Sequence, residues 1–288
     1  MASHVLQTRL PLMAAGVTFF AVLSIAPVLI TALSIYGAVN TPEQALRQLS
    51  EVAERLPPDV ESVVADQLTS ITTASDRVLT TRVLTSLVIA LWTATTAMTY
   101  LLDSLTVAYH EVETRSFLRR TGLAVLLVLG GAALLGAVIA VLGMATRASG
   151  DAPDVVRTLV PALIWVLLAV LMVVVLAVVY RVGPDRKPAR WRWVSWGAAA
   201  TTGLWLATSF ALSVYVQQLG AYESTYGSLA GVAISMVWLW VSVLLVLVGA
   251  AVNAETERQT VQDSTTGPPQ PVGERGAVVA DSVPPYPR

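Results

Sequence analysis

Residues 121–145 read TGLAVLLVLGGAALLGAVIAVLGMA, an unbroken apolar run with no charged side chain. A helical residue rises about 1.5 Å, so a hydrocarbon core of roughly 30 Å takes about 20 of them. The run is long enough to cross a bilayer, and its Leu, Val and Ala leave no polar face for water. Outward from it, five further stretches meet the same test: 12–37, 83–105, 159–180, 194–216 and 229–252. None of the six contains Lys or Arg, and the only acid within them is Asp103, close to the end of the second. The expected fold class is all-α, a polytopic membrane protein with six transmembrane helices over residues 1–258. The first run is much longer than the roughly 7–15 apolar residues of a cleaved signal peptide. It also carries Pro27 and Ser24 in mid-span, so it reads as a retained helix.

The composition of the whole chain agrees. Of 288 residues, 55% are hydrophobic and 13% charged, with a mean hydropathy of +0.67, whereas soluble domains carry roughly 25% charge. The net charge of −1 offers no basic field to recruit nucleic acid. There are no cysteines, which removes disulfides, thiolate catalysis and Cys-based metal sites, and the only histidines are His4 and His110. No phosphate-cradling glycine loop, zinc spacing or nucleophile elbow occurs. No cofactor, no metal, no nucleotide-driven step and no enzymatic activity are therefore expected.

Orientation follows from the basic residues of short loops. The loop after the second span holds Arg115, Arg119 and Arg120, and the loop after the fourth holds Arg181, Arg186, Lys187, Arg190 and Arg192. Of the loops on the opposite side, 146–158 has Arg147 and Arg157, 217–228 has no basic residue, and the longer segment 38–82 sets four arginines against seven acids. The arginine-rich loops are expected in the cytoplasm, and with six spans both termini join them. Residues 38–82 then lie outside. There Leu46, Leu49, Ala53 and Leu56, and after Pro57-Pro58 also Val60, Val63, Val64, Leu68 and Ile71, recur at helical spacing. That pattern predicts two short amphipathic helices. Beyond Glu255 the chain turns polar and proline-rich, and 259–288 is expected as a disordered cytoplasmic tail.

Six polar groupings are candidates for function. In the second span, Trp92-Thr93-Ala94-Thr95-Thr96-Ala97-Met98-Thr99 brings Thr95 and Thr99 into the membrane. Either these hydroxyls line a substrate path or they bond to their own helix in a tightly packed interface. Asp103 reads either as a functional intramembrane acid or as an interfacial carboxylate paired with Arg115 or a neighbouring arginine. The segment from Tyr109 to Arg115 alternates charges, and one His with one or two Glu is too few to define a metal site. Asn253 and Glu255 bring strong polar groups to the end of the sixth span. They could form a cluster with Asp103 or simply a helix-end hydrogen-bond network. Tyr222, Glu223 and Tyr226 enter the sixth span beside the Gly227 and Gly231 pair, as substrate contact or as anchor. Arg190, Arg192 and Trp193, with Trp191 and Trp196, read as an aromatic belt with snorkelling arginines, and equally as a grip on anionic lipid headgroups.

Several of these segments together resemble the YihY/BrkB family of bacterial inner-membrane proteins across roughly residues 10–258. The resemblance rests on Phe19-Phe20 with Ser24-x-x-Pro27, and on the stretch from Leu101 to Phe117 with Ala108-Tyr109 and Glu113-x-Arg115. It extends through Tyr180-Arg181-x-x-Pro184, Gly197-Ala198, Trp205 and Ser209, then Tyr226-Gly227-Ser228 and Gly249-Ala250-x-x-Asn253-Ala254-Glu255. Three positions depart from the family pattern: Thr106 stands where Asn is frequent, His110 where Gly follows the tyrosine, and Trp196 where Pro precedes the Gly-Ala pair. The resemblance implies a six-helix cytoplasmic-membrane protein. The family has carried a ribonuclease label and a virulence-factor label, and these loops lack the clustered carboxylates and basic groove that a nuclease needs. The leading expectation is a transporter or flippase of lipid or envelope components. The alternative is a non-transporting membrane scaffold. Membrane lipids are the expected partners, with homo-oligomerisation left open.

Overall fold

The computed structural model describes residues 9–39, 76–148, 154–218, 228–260 and 262–282. Six long helices account for most of them: α1 (Leu10–Val39), α2 (Asp76–Ala108), α3 (Phe117–Ala148), α4 (Asp154–Val182), α5 (Trp191–Gln218) and α6 (Ser228–Arg258). A single turn, α7 (Val278–Asp281), follows. All six long helices contain a stretch long and apolar enough to cross a membrane. Residues 76–82 belong to α2 and 38–39 to α1. The amphipathic pattern over 46–71, and Tyr222 to Gly227, lie outside the described residues.

The helices expose what a soluble protein would hide. Leu126 is 67% exposed, Trp165 69% and Phe210 73%. Such apolar surface has only lipid for a favourable solvent. α6 is central, packing on α1, α2 and α5, while α4 lies on α5 and α3 lies mainly on α2. Three indole N–H groups fasten α6 inside the bilayer. Trp240 donates to the Pro11 carbonyl of α1 at 3.0 Å. Trp205 of α5 donates to Ser242 at 2.9 Å, and Trp238 to Ser209 of α5 at 3.2 Å. Pro27 interrupts the α1 ladder without breaking the helix, and Thr31 donates to the Pro27 carbonyl at 2.8 Å.

Among the described residues the fully buried side chains concentrate at one end, the arginine-rich one. Leu10 and Ala14 begin α1, Leu105 and Ala108 end α2, Tyr180 ends α4, Val194 and Ala198 begin α5, and Leu247, Ala250 and Ala254 end α6. The small residues matter because they let the α4, α5 and α6 backbones approach closely. At Gly249 a Cβ would run into the Thr201 hydroxyl, and at Gly197 into the Asn253 amide.

The tail departs from expectation. Residues 262–282, predicted to be disordered, fold against the loop 183–190. Arg190 N–H donates to Ser264 O at 2.9 Å, Thr266 N–H to Pro188 O at 3.0 Å and Lys187 N–H to Gly276 O at 3.1 Å. Ser264 and Thr265 are wholly buried, and Val279 nearly so. The proline-rich composition does not give the tail a core of its own. It docks on one already built, and extended backbone satisfies its polar groups there.

Candidate functional site

Thr95, Thr99 and Asp103 recur every fourth residue, which puts them on one face of α2. That face meets the start of α3 around a cavity of 610 Å³, which Arg120, Thr121 and Phe117 close from the other side. At its floor Arg120 Nη1 donates to both Asp103 oxygens, at 3.1 and 3.3 Å. At its rim Trp92 is 63% exposed and Phe117 70%, so the cavity opens sideways onto the bilayer. The threonines divide. Thr93, Thr96 and Thr99 donate to carbonyls of their own helix, Thr99 to Thr95 O at 2.8 Å. Thr95 is only 9% exposed, yet its hydroxyl has no hydrogen-bond partner among the described residues, and neither has the buried Arg120 Nε. Leaving such groups unpaired costs about 1–3 kcal/mol each, which a bound polar group would recover.

Asn253 and Glu255 do not join this face. Asn253, 1% exposed, accepts from Gly197 N–H at 2.9 Å and donates to Val194 O at 3.3 Å, which ties α6 to the first turn of α5. Glu255 faces His110 at 3.6 Å and Arg258 at 3.9 Å. Of the two readings of this pair, the cluster with Asp103 is not formed, and the partners are those of a helix-end network. Gly249, Asn253 and Glu257, not Glu255, make the inward stripe. Glu257 is completely buried and pairs with the Arg186 side chain, itself 2% exposed, at 2.6 Å. Ser264 of the tail donates to the same carboxylate at 2.8 Å, and the Arg186 guanidinium lies 5.0 Å over the Tyr109 ring. The four-residue spacing from Gly249 was the signal for this pair. Arg190 spends Nε on Thr265 O at 3.0 Å and Nη2 on Gly267 O at 3.3 Å. Arg192 and Trp193 stand beside it, lining a second cavity of 460 Å³.

The loop after α2 is held by charge. Arg115 forks onto Glu113 with Nε at 2.8 Å and Nη2 at 2.7 Å, and donates to Gly183 O at 2.8 Å. Asp185 accepts from the Thr114 N–H and hydroxyl, both at 2.6 Å. His110, where the family pattern has Gly, takes φ 61°. Its N–H bonds to Val107 O and that of Glu111 to Thr106 O. This is the helix end that favours a left-handed residue, and His is one of the few others that tolerate it.

Hydrogen bonds from Arg115 hold the Glu113 carboxyl below its ordinary 4.5. Burial alone would push Asp185 up, but the Thr114 hydrogen bonds and the Arg115 charge leave it below 3.8. Depressed carboxyls contribute stability that is present above their unfolded pKa and lost as pH falls through the folded one. Glu111, raised by burial against the Val278 N–H that it accepts, acts in the opposite sense. The detergent-solubilised protein should therefore lose melting temperature as pH drops below about 4.5. Glu113→Gln with Asp185→Asn should flatten that limb. An unchanged acid limb in the double variant would contradict this account.

Six apolar helices around a charged, closed end define a multi-pass membrane protein. The chain belongs to the family described as Virulence factor BrkB, matching it over residues 1–274. Relatives include the ribonuclease-like protein YfkH of Bacillus subtilis, 29% identical over 174 residues, 58% of this chain and 63% of that protein. The UPF0761 membrane protein of Albidiferax ferrireducens is 25% identical over 256 residues, 86% of this chain and 59% of that protein. UPF0761 membrane protein IL2447 of Idiomarina loihiensis is 25% identical over 132 residues, 46% of each chain. The chain thus spans less than two thirds of the length of these relatives. No solved structure matches it.

Proposed function

We propose that this protein moves a lipid or another amphipathic envelope component across the bacterial cytoplasmic membrane, with both termini in the cytoplasm. The observation that carries the reading is the lipid-facing cavity between α2 and α3. A headgroup travelling there meets the unpaired Thr95 hydroxyl and the Asp103–Arg120 pair while its chains stay in the bilayer. Intramembrane charge is costly to keep, which favours a working role for the pair. The arginine-rich end faces the cytoplasm by the positive-inside rule. No covalent chemistry is involved in this reading.

The test is lipid movement in proteoliposomes, followed as quenching of a fluorescent phospholipid by an impermeant reagent. Wild type should scramble the reporter faster than an unrelated six-helix protein. Thr95→Val, nearly isosteric, and Asp103→Asn should each slow it about tenfold, the effect of losing roughly 1.4 kcal/mol of binding. Asn253→Ala, whose partners are structural, should move stability more than rate. A second reading is a non-transporting scaffold. The ordered tail favours it by presenting a folded surface at the arginine-rich end. Lipid movement no faster than the control would make it the better account.

A further inference from the structure

Among the residues that line the α2–α3 cavity, only Asp103 and Arg120 are charged, and they pair with each other at 3.1 Å. The nearby Arg115 is matched in the same way by Glu113 at 2.7 Å. The floor of the cavity therefore carries both signs and no net charge. A headgroup with one surplus charge would leave it uncompensated in a low-dielectric setting, which is costly. A headgroup that carries both signs meets a match for each.

The hydrogen-bonding groups divide in the same sense. The buried Arg120 Nε is a donor without a partner among the described residues, and the Thr95 hydroxyl is likewise unengaged. Both can donate to phosphate oxygens. Thr96 and Thr99 spend their hydroxyl protons on the carbonyls of Trp92 and Thr95. Their oxygens are left as acceptors, as are the remaining lone pairs of Asp103, and acceptors suit an ammonium group.

The rim adds a third feature. Trp92, Tyr100 and Phe117 line the cavity and are 63%, 46% and 70% exposed. Tyr100 is held by stacking on Phe20, with ring centroids 5.2 Å apart. Aromatic faces attract a cation and not an anion. Asp103 lies less than two helical turns inside the end of its span, and Arg120 within the first turn of the next. A headgroup of the adjoining leaflet thus reaches both while its chains stay among the lipids.

We propose that this cavity selects a zwitterionic phospholipid headgroup, an ammonium joined to a phosphate. Arg120 and Thr95 hold the phosphate, and Asp103 with the aromatic rim holds the ammonium. The assignment rests on the transport reading for the use of this cavity, and its test separates the two.

Phosphatidylethanolamine and phosphatidylglycerol with identical acyl chains would be compared in two ways. One is the rise in melting temperature that each gives the full-length protein in neutral detergent, which reports binding. The other is movement of chain-labelled versions in the proteoliposome assay. Wild type should bind the ethanolamine lipid about tenfold more tightly, the effect of one charge-assisted contact. Asp103→Asn leaves Arg120 unmatched and should invert the preference. Trp92→Leu, at an exposed position, should narrow it severalfold without disturbing the buried core. Equal binding of the two lipids by wild type, tighter binding of the glycerol lipid, or a preference that survives in both variants would overturn the assignment. Selective binding with neither lipid moving faster than in the control would uphold it and retire the transport reading instead.

Discussion

Replacing Arg186 by Ala will destabilise the protein by about 3–5 kcal/mol, the range for stripping one partner from a buried ion pair. Glu257 would be left fully buried, with only the Ser264 hydroxyl to answer its charge. The cost comes from the orphaned carboxylate more than from the lost attraction. Arg186→Met with Glu257→Leu should therefore recover most of it, because a matched apolar pair needs no solvation. Denaturant titration of the detergent-solubilised variants measures both. A single variant within about 1 kcal/mol of wild type would mean that water reaches Glu257, contrary to its burial. The tail should loosen in the same variant, since Ser264 would hold a carboxylate that has lost its other partner.

Gly249→Val is the second large effect, and it comes from crowding. Tyr180 is bonded to Thr201 at 3.0 Å and donates to Val246 O at 2.9 Å, directly across from Gly249. Any Cβ there displaces the Thr201 hydroxyl and the tyrosine tip. Overpacking costs about 1–3 kcal/mol and a broken buried hydrogen bond about 1–3 more, so a loss of about 3–5 kcal/mol is expected. Gly131→Ala is the informative contrast. A Cβ at Gly131 meets nothing within 4 Å, and Ala is the better helix former by about 1 kcal/mol. Thermal melts should therefore move in opposite directions for the two glycines. A shared direction would mean that α6 does not pack on α4 and α5 as described.

Which features were legible in the sequence follows from how local they are. A membrane span is a property of one apolar stretch, and all six emerge close to their expected bounds. An ion-pair partner belongs to two stretches. Asp103 was expected to meet Arg115 or a neighbouring arginine, and it meets Arg120, which α3 supplies from its first turn. Thr95 and Thr99 stood out as hydroxyls, but only the packing of α2 against α3 separates Thr95, left unpaired, from neighbours that bond to their own helix. Glu255 is named among the polar groups that end the sixth span, and Glu257 is not. The four-residue step from Gly249 through Asn253 carried the better signal, and it points at Glu257. The tail could not be found from composition. Its order comes from carbonyls and N–H groups of the loop 183–190, which exist as a docking edge only after α4 and α5 have assembled.

That docking also sets an order of events in biogenesis. The Val278 N–H donates to the Glu111 carboxylate at 2.7 Å across 167 residues of chain, so the contact cannot form until every helix has been synthesised. Insertion of the spans is a series of local partitionings, whereas closing the arginine-rich end is one long-range step that comes after them. Until then Glu257 lacks the Ser264 hydroxyl and Arg190 lacks its tail carbonyls. A chain whose tail has not yet docked thus differs from the finished one in the pairing of Glu257 and of Arg190.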